Sequence, residues 1–339
     1  MLYFIITTQI SGGGISYVEN EFSRLILNGF ESLFICAVDL FIMISGYFLC
    51  KTKKRSLGKI FFLIVQCVIM NALIYLVKLL LQGGTFSLSG FVSSFALFPY
   101  FLVLYSITYI LSPWVNIIIE RLSLKQFRYL LVLLFLIFSV YGIIIDTLPV
   151  FAAWNWQQMS PIGLYGNGAG YTVVNFMLCY LFGAYVRKSR EEPSANVPSL
   201  KIWILTAFCI VFCIGLWAYF IGYTQFNYNN PLVILAAVAF LQISLNLNFS
   251  SRLVNELSKG AFTCYLIHGF FLKYLSVEFH VKSAWYIMTL HIIVSAVLIY
   301  LASYLVYKLY SLCTDPLVRK LSKHIDRLYQ PSFEQPESK

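Results

Sequence analysis

Hydrophobic positions in this chain come in long blocks, without the strict alternation of strands or the spaced stripes of soluble amphipathic helices. Apolar runs lie at 30–50, 58–81, 92–118, 128–146, 170–186, 202–222, 231–247, 260–279 and 284–310, each near the length that about 30 Å of hydrocarbon requires. Residues 1–10, MLYFIITTQI, read as the tail of one more run. The pattern predicts an all-α, polytopic transmembrane bundle of about ten helices over residues 1–312, followed by a basic tail over 313–339.

The polar gaps between the runs alternate in charge. KTKKRSLGK, ERLSLKQFR, RKSREEPSANVPSLK, SSRLVNELSK and the tail from Lys308 are basic, whereas QGGTFSLSG, residues 147–170 and GYTQFNYNN hold no Lys or Arg. All but four of the 24 Lys and Arg residues (Arg24, Lys78, Lys273 and Lys282) fall in the basic gaps or the tail. By the positive-inside rule those gaps are cytoplasmic, which predicts cytoplasmic termini and an outer loop from Thr147 to Gly170.

Composition agrees with this reading: 60% of the 339 residues are hydrophobic, 18% aromatic and 11% charged, against about a quarter charged in soluble domains. The net charge of +10 would suit nucleic acid, but the cations are confined to short gaps and form no continuous solvated face, so they report topology and membrane lipid contact. No secretory signal pattern opens the chain. The eight cysteines are scattered through apolar runs with no C-x-x-C and no histidine at metal-ligand spacing, so they read as small hydrophobes and no metal site is expected. Neither an internal repeat nor an inverted pair of broken segments supports a transporter built from duplicated halves.

A carboxylate in hydrocarbon costs a few kcal/mol even on lenient scales, so an intramembrane ionisable residue invites a functional reading. The candidates are Asp39, Lys78, His268, Lys273 and His291. Asp39 lies roughly eleven residues before a basic cluster and His268 about eight after Lys259, which puts both at interior depth. A His–Asp pair can orient an imidazole for general base work, and it can equally be a packed interhelical hydrogen bond. Lys273 reads as a snorkelling lysine, and His291 as a structural histidine on an apolar face. Lys51, Lys53, Lys54, Arg55 and Lys59 could bind phosphates of a nucleotide or of anionic lipid, or act only as a topogenic signal. On the predicted outer loop, Trp154, Asn155 and Trp156 have the composition to stack on sugar rings and bond hydroxyls, or to form an aromatic belt. SGGGIS, residues 11–16, lacks the ending of a phosphate-binding loop and reads as a turn.

Four segments together resemble the acyltransferase-3 family of integral-membrane O-acyltransferases, especially the branch that acetylates bacterial surface polysaccharides. They are VDLFIMISGYFL (38–49), FPYFLVLYSITYILSPWVN (98–116), GYTVVNFMLCYLFGAYVRK (170–188) and LSKGAFTCYLIHGFF (257–271). The resemblance implies transfer of acetyl groups from cytoplasmic acetyl-CoA to a hydroxyl of a surface polysaccharide or its lipid-linked precursor, in a bacterial plasma membrane. It places Asp39 at the family's helix-two acidic position and His268 at the ninth-helix motif histidine, both as catalytic candidates. Lys53, Lys54, Arg55 and Lys59 fall where the phosphates of CoA are expected, and Trp154, Asn155 and Trp156 lie in the loop expected to meet the glycan.

One departure stands out. The family's first helix carries an arginine and a pair of histidines, and here Thr7 and Thr8 occupy the histidine positions while the arginine position precedes Met1. Threonine cannot serve as a general base near neutral pH, so His268 or another group takes that role, or the chain is a degenerate, glycan-binding member. A polysaccharide flippase or polymerase would also have many helices, but would leave the ordered motifs unexplained.

Overall fold

The structure is a computed structural model that describes residues 17–52, 54–151, 159–164, 166–193, 197–247, 249–274 and 282–328. Among the described residues it is helical, with no strand. Fourteen helices are described: α1 (Glu21–Phe34), α2 (Ala37–Leu49), α3 (Leu57–Gln82), α4 (Leu88–Ser94), α5 (Tyr100–Arg121), α6 (Leu124–Phe135), α7 (Tyr141–Phe151), α8 (Val173–Arg190), α9 (Leu200–Phe220), α10 (Pro231–Asn246), α11 (Arg252–Ser258), α12 (Ala261–Leu272), α13 (Trp285–Cys313) and α14 (Asp315–Leu328). A π-helical turn, Leu136–Val140, joins α6 to α7.

Among the described residues, six stretches are long and apolar enough to cross a membrane: Glu21–Leu49, Leu57–Gln82, Tyr100–Arg121, Leu124–Phe151, Leu200–Phe220 and Trp285–Cys313. In each of them less than half of the apolar window is buried. On α9, Leu205, Phe208 and Phe212 are 63%, 67% and 57% exposed, a surface that suits lipid and would be costly in water. Boundaries differ from the sequence expectation in three places. The run at 92–118 is two helices, α4 and α5, separated around Pro99, whose missing N–H and fixed φ favour a helix start. The run at 128–146 continues to Phe151, carrying Asp146 into the helix and Pro149 near its end. The run at 30–50 begins earlier, at Glu21, and is interrupted between α1 and α2.

The chain divides into two compact units, Met1–Ile26 with Lys54–Val103 and Phe249–Lys339, and Leu27–Lys53 with Leu104–Asn248. In the first, α3 packs on α12 and on α14, and α12 on α13. Buried Gln66 donates to Thr263 Oγ1 at 2.8 Å, tying α3 to α12. Asp326 of α14 accepts from Ser56 Oγ and from the Gly58 backbone N–H at 2.7 and 2.8 Å, which satisfies an orphan donor at the start of α3. Gly83 closes α3 with φ +62°, a conformation glycine adopts without strain.

The second unit is organised by the crossing of α2 and α8. A Cβ at Gly46 would overlap the Tyr180 carbonyl, and one at Gly183 would overlap the Met43 carbonyl. The two backbones therefore touch directly, with one glycine contributed by each helix. Asn116 of α5 donates to the Leu49 and Thr52 carbonyls at 2.8 and 2.9 Å and accepts from Tyr180 Oη at 2.8 Å, locking α5 onto the same crossing. On α10, Val233, Ile234, Ala236, Ala237 and Ala239 are fully buried.

Enlarging either crossing glycine should force the helices apart, as overpacking a core costs about 1–3 kcal/mol. Gly46→Ala and Gly183→Ala should each lower the thermal midpoint of the detergent-solubilised protein. Gly29→Ala, whose Cβ would meet nothing within 4 Å, should leave it unchanged or raise it. Equal midpoints for all three would refute the crossing.

Candidate functional site

Asp39 stands on the first turn of α2 and is fully buried. Asn175 Nδ2, on the first turn of α8, donates to its Oδ1 at 3.2 Å, and Cys179 lies beside the same carboxylate, whose Oδ2 has no hydrogen-bond partner among the described residues. The spacing follows from the glycine crossing: Asp39 and Met43 are one turn apart on α2, as are Asn175 and Cys179 on α8. Direct backbone approach brings a short amide and a thiol within reach of a short carboxylate. One carboxylate oxygen is thus satisfied by an amide N–H while the other stays unmet, which costs free energy at a buried position.

His268 lies on α12, 7% exposed. Its Nδ1 is 3.0 Å from the Cys264 carbonyl and 2.7 Å from the Tyr265 carbonyl. Carbonyls only accept, so Nδ1 carries the proton and Nε2 is the ring nitrogen with a lone pair. The Tyr265 ring lies beside the imidazole at 6.1 Å and packs edge-on against Phe101. Two backbone carbonyls of its own helix thus help to orient this imidazole. That is the tautomer a general base acting through Nε2 requires.

At the C-terminal end of α8 a cavity of about 360 Å³ opens between α2, α5 and α8, lined by Cys50, Lys51, Asn116, Glu120, Arg187 and Glu191 among others. Glu191 bridges Lys51 at 2.7 Å and Arg187 at 2.6 Å, and the Arg187 guanidinium lies over the Tyr47 ring. The Lys51 ammonium, and then the Arg187 guanidinium, hold the Glu191 carboxyl below its ordinary value. Lys188 Nζ donates to the Ile119 and Leu122 carbonyls, capping α5.

The other residues expected from sequence are distributed as follows. Lys54 and Lys59 are exposed and Arg55 half-buried before and within the first turn of α3. Lys53, Trp154, Asn155, Trp156, Thr7, Thr8 and the 11–16 turn lie outside the described residues. His291 Nε2 lies 3.3 Å from Ser295 Oγ one turn along α13, in keeping with a structural histidine. Lys273 caps the end of α12.

Three groups escaped the sequence reading. Glu31 is fully buried in the first span, although it opens the apolar run. Arg187 and Glu191 line the cavity although they looked like ordinary gap charges. Asp146, at the end of an apolar run, accepts from Asn167 Nδ2 and Asn227 Nδ2 at 3.1 and 3.2 Å. Its signal was available: an acid bordering a gap that holds no Lys or Arg.

The acyltransferase domain family matches residues 5–308, and the chain is a member of that acyltransferase-3 family, a multi-pass membrane acyltransferase by its family and its apolar helices. No curated protein and no solved structure matches it.

The helix that carries His268 is preceded by an ionic knot. Glu256 accepts from Lys259 at 2.6 Å, from Tyr304 at 3.0 Å and from Lys308, and first Lys259, then Lys308, pull its carboxyl from its ordinary 4.5 down to about 2. Because the folded value lies below the unfolded one, this contribution is complete above about pH 4.5 and is lost as pH falls towards 2. Glu256→Gln should therefore lower the thermal midpoint at pH 7, by a small amount for so exposed a group. The gap to wild type should narrow below about pH 4.5; a gap independent of pH would contradict the assignment.

Proposed function

We propose that this protein is a membrane O-acyltransferase that moves an acetyl group from cytoplasmic acetyl-CoA to a hydroxyl of a surface polysaccharide or its lipid-linked precursor, in a bacterial plasma membrane. The observation that carries the reading is the fixed tautomer of His268 within a chain of this family. In this reading about ten helices span the bilayer and the basic gaps face the cytoplasm.

The chemistry balances as follows. Nε2 of His268 takes the proton of the acceptor hydroxyl. The oxygen attacks the thioester carbonyl, the C–S bond breaks, and the CoA sulfur leaves as thiolate and takes up the proton. Lys54, Arg55 and Lys59, with Lys53, offer cations at the start of α3 to the donor's phosphates. Lys51 and Arg187 offer a second pair in the cavity, bridged by Glu191 in a way a phosphate could imitate. Asp39 contributes a buried negative charge to the acyl-transfer unit, and Trp154, Asn155 and Trp156 meet the glycan.

A second reading rests on Thr7 and Thr8: a degenerate member that binds glycan without acylating it. A deletion strain complemented with this chain separates the two through the acetyl methyl NMR signal of its surface polysaccharide. Restored signal is expected, and its absence from well-expressed, membrane-inserted protein would favour the second reading. His268→Ala should reduce acetylation by about 10²–10⁴-fold, the usual contribution of a general base, at unchanged protein level. Asp39→Asn keeps the shape and removes the charge, and should also abolish the signal. Full acetylation in both variants would sink these roles.

A further inference from the structure

Beside the N-terminus of α8, opposite the Lys51–Arg187 cavity along an 18-residue helix of about 27 Å, the second unit holds a polar cluster that the reading above does not use. We propose that Asp146 and Asn227, positioned by Asn167 and by the backbone at Asn229, form a subsite for the hydroxyl groups of an uncharged sugar ring, the acceptor side of the proposed transfer. The inference rests on the acyltransfer reading for the word acceptor, but its geometry stands independently.

The cluster is built from three directions. The π-helical turn and α7 supply Gly142 and Asp146. The segment before α8 supplies Asn167, whose Nδ2 donates to the Gly142 carbonyl at 2.8 Å as well as to Asp146, and whose Oδ1 accepts from Ser160. The segment before α10 supplies Asn227 and Asn229, held by donation from Ser139 Oγ to the Asn229 carbonyl and from the Tyr228 N–H to the Ala169 carbonyl. Gly170, at φ +81°, lets these two segments touch: a Cβ there would collide with the Asn229 backbone nitrogen.

Two observations point to a ligand. Asn229 is 1% exposed, yet neither its amide nitrogen nor its amide oxygen has a hydrogen-bond partner among the described residues. Its Nδ2 is turned towards Gly142, 3.1 Å from where a Cβ would stand and beside the Asn167 amide. A buried amide with both ends unmet costs about 1–3 kcal/mol per group, and it stands at the inner wall of the cluster. Asp146 and Asn227, by contrast, are half-exposed, so the cluster opens outward from that buried end.

The chemistry selects the ligand class. Both Asp146 oxygens already receive amide N–H groups, and their remaining lone pairs can accept hydroxyl donors. The neighbouring residues 147–170 and 222–230 contain no Lys or Arg, which disfavours an anionic ligand. Exposed Tyr141 and Tyr171 border the cluster, Tyr141 pinned by donation to the Met159 carbonyl and Tyr171 edge-on to buried Tyr228. Such rings suit the C–H face of a pyranose.

The test uses the full chain in nanodiscs with a de-O-acetylated oligosaccharide prepared from the host strain's surface polysaccharide. Saturation-transfer NMR reads ring-proton contact, and acetyl-CoA turnover reads KM for the oligosaccharide. Asp146→Asn and Asn227→Ala should each raise that KM about tenfold or more and weaken saturation transfer, with KM for acetyl-CoA unchanged in the folded protein. Saturation transfer lost in the variants, without turnover in any protein, would keep the subsite and sink the acyltransfer reading. Equal oligosaccharide KM and equal saturation transfer in wild type and variants, or no saturation transfer in wild type, would overturn the subsite.

Discussion

The contact on which the second unit depends is the one between the α2 and α8 backbones at Gly46 and Gly183, where no side chain intervenes. Membrane helices gain little from hydrophobic burial against one another, because lipid is as apolar as leucine, so close backbone approach and short hydrogen bonds carry the packing. Here the close approach comes first and the polar contacts follow. With the helices this near, Asn175 and Cys179 can reach Asp39, and Tyr180 can reach the asparagine that ties down the end of α2.

This crossing also sets what the two ends of α8 can do. Its C-terminal turn presents Arg187 to Glu191 and Lys51 around a cavity, and its N-terminal side carries the asparagine and tyrosine cluster around Asp146. A charged end and an uncharged end, separated by about one hydrocarbon thickness, are what a transfer from a phosphorylated donor to a neutral sugar calls for. In the other unit the Nδ1 of His268 is held by backbone carbonyls of its own helix.

Much of the helical layout was legible in the sequence, because a bilayer imposes a length on every apolar run; Leu57–Gln82 and Leu200–Phe220 fall within two residues of the runs that announced them. The family was legible too, and the reason is physical: two of its recognisable segments, 38–49 and 170–188, are the helices that cross at Gly46 and Gly183. Asp39 stood out as a charge in an apolar run. Its partners did not, since an asparagine and a cysteine on a distant helix have no signature until the crossing is known. Asp146 was hidden because hydropathy ends a run at the first charge, whereas the helix continues through it. Glu191 and Arg187 were hidden because a cavity is a property of three helices together.

The central claim is that this chain carries an acyl group from a donor on its basic side to an acceptor on the other. The most direct measurement reconstitutes the purified protein in liposomes loaded with lipid-linked glycan from an acetylation-deficient strain, then adds radiolabelled acetyl-CoA to the outside only. The account predicts label on the enclosed glycan, in the fraction of vesicles whose basic gaps face out, with one free CoA thiol released per acetyl transferred. Donor bound but never cleaved, with the enclosed glycan unlabelled, would contradict it.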